Sequence, residues 1–119
     1  MEPKLFTPNP HLTDEVNSAI VKSEIDGGVW LKDLEPGVRL LVRTKNTTYF
    51  IEMGEERTLE IWGNQKYCPE PTKCTISGST WGGSMIKVGF IGRGMRLEFY
   101  TNNHPERIVT SEIQEIIEL

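Results

Sequence analysis

Apolar and polar residues alternate along most of this chain, in short runs broken by turn chemistry. Val38, Leu40 and Val42 line one face of a run whose other face holds Arg39, Leu41 and Arg43. Lys45-Asn46 then makes a turn, and Thr47 to Met53 returns as a second strand, which gives the clearest hairpin in the sequence. Thr58-Leu59-Glu60-Ile61-Trp62 alternates again and stops at Gly63-Asn64, so it reads as the third strand of a meander. A proline-containing loop from Gln65 to Pro71 leads to a further run, Lys73 to Ser77. Met85 to Ile91 and Met95 to Thr101 read as two more strands joined by a Gly92-Arg93-Gly94 loop, with Met95, Leu97 and Phe99 on one face of the second. After the turn at Asn102 to Pro105, Arg107 to Ser111 forms another strand. Glu112 to Leu119 fits either period: Ile113, Ile116 and Ile117 suit a helix, while continuity with the preceding run suits a strand, which is preferred.

The N-terminal part follows different rules. Three prolines, Pro3, Pro8 and Pro10, make residues 1–12 an extended arm. From Thr13 or Asp14 as cap, Val16, Ile20 and Val21 recur at helical spacing up to Gly27-Gly28, which predicts one short helix over 13–26. The expectation is therefore a single all-β domain, a small antiparallel β-barrel or sandwich of six to seven strands over 29–119 with one short N-terminal helix.

The stretch Ser77 to Thr101, SGSTWGGSMIKVGFIGRGMRLEFYT, organises that fold. Glycine there marks backbone that turns with positive φ or approaches another surface closely, and Gly78 and Gly89 lie where strands bending around a barrel corner need such freedom. Trp62 and Phe99 are expected in the core, and Trp81 over one barrel end. An exposed Trp81 indole within reach of Arg93 or Arg96 would instead point to recognition.

At 119 residues the chain suits one core rather than two. No run is long enough for a helical membrane span, and the first residues lack the apolar region of a secretory signal, so a cytoplasmic location without membrane contact is expected. In that compartment Cys68 and Cys74 are expected as free thiols rather than a bridge, and with no metal ligand set around them no cofactor or metal is expected.

Net charge is −4, but the distribution matters more than the total. Residues 37–51 carry Arg39, Arg43 and Lys45 without an acid, and residues 71–101 carry Lys73, Lys87, Arg93 and Arg96 against Glu98 alone. These blocks coincide with predicted hairpins, so one sheet could present a basic face to a small anion or to a protein partner.

Tests for catalytic motifs fail. Gly78 to Gly83 has the spacing of a phosphate loop, yet Ser84 stands where the lysine belongs, and neither Ser79 nor Ser84 sits in a G-x-S-x-G elbow. Nothing in the spacing of the 17 acids selects a carboxylate pair, so an enzyme with an unrecognised carboxylate site stays only an alternative. The expected function is a non-enzymatic binding or protein-interaction domain, with Arg39, Arg43, Trp81, Lys87, Arg93 and Arg96 as candidate ligand-binding residues. A single-stranded nucleic-acid barrel would use Trp81, Phe90 and Tyr100 as stacking platforms, but a pI near 5.2 argues against nucleic acid.

Two resemblances bear on this. Arg39-Leu40-Leu41-Val42-Arg43 matches the R-x-x-x-R motif of cyclic-dinucleotide receptors of the PilZ type, and Ser77-Gly78-Ser79-Thr80-Trp81-Gly82 is similar to their [DN]-x-S-x-x-G motif with serine in the first place. That resemblance implies an anionic ligand held by guanidinium groups. From about Gly37 to Thr110 the chain also resembles a group of small bacterial proteins with a GSTWGGSM-like segment and a G-x-G-M-x-L-E-F-like strand. It implies a discrete β domain and supplies no activity.

Overall fold

A computed structural model describes residues 27–81 and 85–119. The predicted arm and helix over 1–26 lie outside the described residues. Among the described residues nine strands follow in order: β1 Gly28–Trp30, β2 Arg39–Thr44, β3 Thr48–Met53, β4 Leu59–Trp62, β5 Thr72–Thr80, β6 Ile86–Val88, β7 Phe90–Gly92, β8 Arg96–Thr101 and β9 His104–Glu118. Short 3-10 turns occupy Leu31–Asp33 and Glu55–Arg57.

The larger sheet is antiparallel with the order β4-β3-β2-β9-β8-β5-β6, and β4 also pairs with β5. That last pairing, Leu59 opposite Cys74 and Ile61 opposite Thr72, closes a hydrogen-bonded circuit of strands and leaves β6 outside it on the flank of β5. Closure satisfies backbone groups that an open sheet of this size would leave at its edges. No helix among the described residues is long and apolar enough to cross a membrane.

Strand alternation fills the interior. Leu40 and Val42 from β2, Tyr49, Ile51 and Met53 from β3, Ile61 from β4, Ile76 from β5, Leu97 and Phe99 from β8, and Ile113 and Ile116 from β9 are all buried. Burying such side chains contributes roughly 1.5–3 kcal/mol each before entropy is subtracted. Residues 112–118 are strand, because Ile113 and Ile116 face this core while Ile117 pairs opposite Leu41 of β2. Trp62 departs from expectation: it lies half-buried and stacks on Phe50 at 5.7 Å, since its register partner Phe50 points away from the core residues Tyr49 and Ile51.

The run read as one strand from Met85 to Ile91 is two. Gly89 adopts φ 71 and breaks it, so β6 joins β5 while β7 pairs with β1 in a separate two-stranded sheet. Consequently Gly92-Arg93-Gly94 does not close a ladder-paired hairpin, because β8 pairs with β5 and β9 instead. The expected bend is present at Gly78, with φ 147 and a register shift between Ile76 and Gly78. A Cβ there would collide with the Lys87 carbonyl oxygen, so only glycine lets β6 approach.

Ser79 ties the two sheets together. It is fully buried, donates to the Phe90 carbonyl at 2.7 Å and accepts from the Gly92 amide at 3.3 Å. Ile91 of β7 is thereby held in the core. Below β1, Arg57 donates to the carbonyls of Leu34 at 2.9 Å and Leu31 at 2.6 Å, fixing the turn that inserts Leu34.

Candidate functional site

The β5–β6 hairpin breaks the pattern of the rest. In register, Ile86 stands opposite Thr80 and Val88 opposite Gly78, whose own partners on β8 are Arg96 and Glu98. Ile86 and Val88 therefore share the outer face with those charged residues. Their exposures are 41% and 72%, and at the hairpin tip Trp81 and Met85 reach 67% and 74%. Every residue of β6 is exposed, and among the described residues β6 has a ladder partner only on its β5 side.

Lys87 faces the other way. Its Nζ lies 4.3 Å from the Phe90 ring centroid and 5.2 Å from that of Trp30, with the two rings themselves 4.7 Å apart. A lysine on an edge strand ordinarily discourages further pairing. Here it is drawn onto aromatic faces, an attraction worth about 0.5–1 kcal/mol when exposed.

The other predicted site residues are scattered. Arg39 and Arg43 lie on β2, with Arg39 paired to Glu52 at 3.3 Å and Arg43 to Glu115 at 3.1 Å and to Gln114 at 2.9 Å. β9 and β8 separate β2 from β5 on one side of the circuit, and β3 and β4 on the other, so the two PilZ-like segments are not brought together. Arg93 follows β7, and its amide donates to Gly27 at 2.8 Å. Arg96 lines a polar cleft of about 320 Å³ with Lys45, Asn46, Ser111 and Glu112. Only Trp81 and Lys87 belong to the exposed hairpin, and Arg96 is in register with its base.

A second cleft, of about 390 Å³, lies where β4 begins beside β5 and is lined by Arg57, Thr58, Leu59, Lys73, Cys74, Thr75, Ile76 and Asn102. It holds a thiol, but burial, with Cys68 and Glu60 adding to it, pushes the Cys74 pKa up to about 12. The protonated thiol is a poor nucleophile at neutral pH. Cys68 is also free and buried. Among the described residues no group of three or more His, Cys, Asp or Glu is placed to hold a metal ion.

Reading the sequence missed Met85, Ile86 and Val88, because apolar residues in a strand pattern signal core. It also missed the cleft, whose walls come from segments well apart in sequence. With this geometry in hand, comparison with known proteins found no match to a family model, a curated protein or a solved structure.

Proposed function

We propose that this protein is a non-enzymatic binding domain, a small barrel whose β5–β6 hairpin takes up an extended acidic segment of a partner protein as an added strand. The observation that carries this reading is the exposure of Trp81, Met85 and Val88 beside a strand edge with no ladder partner among the described residues. Contiguous exposed apolar surface marks interaction sites, and an open edge supplies main-chain donors and acceptors for strand addition. Lys87 on β6 and Arg96 in register with the hairpin base add positive charge, while Glu98 on the same face is paired with Arg107 at 3.4 Å, which suits a negatively charged partner segment. The protonated Cys74 thiol and the scattered acids give no competing reason to assign catalysis.

Titrating the ¹⁵N-labelled chain with an alternating Val–Glu octapeptide and its Val–Lys counterpart tests the reading. Saturable shifts of the β6 amides with the Glu peptide, weaker by about tenfold with the Lys peptide, are expected. Equal responses to both, or shifts that spare β6, would overturn it.

A further inference from the structure

The cleft at the β4–β5 junction arises from a gap in the ladder. On the flank of β5 away from β8, β4 pairs with Thr72, Lys73 and Cys74, and β6 pairs with Gly78, Ser79 and Thr80. Between them, Ser77 gives its carbonyl to the Gly89 amide at 2.9 Å, and Thr75 and Ile76 border the cleft. Leu59, Cys74 and Ile76 give it an apolar lining, while Arg57 and Lys73 bring two cations and no carboxylate lines it.

Arg57 is built into place rather than left to wander. Its two bonds to the Leu31 and Leu34 carbonyls orient the guanidinium. Its own backbone, like that of Glu56, sits in the left-handed region at φ 60 and 59, which side chains other than glycine seldom adopt. Thr58 braces this turn, its hydroxyl donating to the Glu55 carbonyl at 3.0 Å while its own carbonyl accepts from the Gly54 amide at 2.7 Å. Strained backbone held by its surroundings clusters at ligand sites. The neutral Cys74 thiol adds no negative charge to the floor.

We infer that this cleft binds a small amphipathic carboxylate, its head held by Arg57 and Lys73 and its alkyl chain laid along Leu59, Cys74 and Ile76. A volume of about 390 Å³ accommodates roughly a dozen heavy atoms at about 30 Å³ each, which fits a medium-chain carboxylate. Guanidinium and ammonium groups favour a carboxylate over a neutral head, and the apolar floor favours an alkyl chain over a bare anion. This site is independent of the hairpin.

The test follows amide shifts of the ¹⁵N-labelled full chain during titration with octanoate, with octan-1-ol and with inorganic phosphate. Octanoate should shift the amides of Thr75, Ile76 and Asn102 saturably, and the other two should bind at least about tenfold more weakly. Because Arg57→Gln also releases the turn at Leu31 and Leu34, the deciding variants are Lys73→Gln, which removes the cation without setting a like charge opposite Glu60 and should weaken octanoate about tenfold with its melting temperature unchanged, and Thr75→Trp, which should block the cleft. Absence of a saturable shift at those amides, equal binding of octan-1-ol, or octanoate binding unaffected by Lys73→Gln would each overturn the assignment.

Discussion

The wall formed by β2 and β9 and the hairpin formed by β5 and β6 are built from the same alternating pattern and end up opposite in character. On the wall, Leu40, Val42, Ile113 and Ile116 turn inward, while Arg39 and Arg43 outside meet Glu52 and Glu115. On the hairpin, the residue that turns toward neighbouring structure is Lys87, and the outward positions are Ile86 and Val88. Apart from the outward pair Leu41 and Ile117, the wall follows the rule of apolar inside and polar outside, and the hairpin inverts it. Local inversions of that kind are expected where a surface serves binding more than folding.

The largest effect is expected at Gly78, where β6 meets β5. Replacing it with valine puts a side chain against the Lys87 carbonyl at φ 147, so a loss of about 3 kcal/mol or more in urea unfolding is expected. Ser79→Ala removes the link between β5 and β7 and leaves the buried Gly92 amide and Phe90 carbonyl short of a partner. A loss of about 1–3 kcal/mol should follow, with faster amide exchange at Gly92. On the wall, Arg43→Ala deletes an exposed ion pair with Glu115 and an exposed hydrogen bond to Gln114 and should cost under about 1 kcal/mol. The smallest effect is expected on the hairpin itself: Trp81→Ser with Val88→Thr should leave unfolding within about 0.5 kcal/mol of the parent while abolishing the response to the Val–Glu peptide.

Alkaline pH sharpens the contrast from the interior. Burial raises the thiol pKa of Cys68 and, to about 12, that of Cys74, from an unfolded value of 9.0. The folded state thus holds protons that the unfolded state releases, so this contribution is complete below about pH 9 and fades as pH rises toward 12. Melting temperature should fall between pH 9 and 11, and Cys74→Ser should flatten part of that fall.

The meander β2–β3–β4 was legible because alternation and turn residues are local signals. Strand β9 was legible only as far as Ser111 without ambiguity, since isoleucines spaced by three and four suit either period until a neighbouring strand decides. Its pairing with β2, and that of β8 with β5, joins distant segments and left no local mark. Gly89 was seen as a bend but not as the point where one strand becomes two, because that depends on Ser79 reaching Phe90 and Gly92 from β5. At the candidate site Trp81 drew attention through its glycine-rich setting. Val88 and Met85 did not, because sequence records that a residue is apolar and not whether anything covers it.

The proposed strand addition needs β6 to be an edge open to a partner strand, and amide exchange reads that edge directly. With saturating Val–Glu peptide, exchange across Ile86–Val88 should slow while that of β2, Arg39–Thr44, stays as it is. Unchanged exchange on β6, or protection appearing on β2 instead, would contradict it.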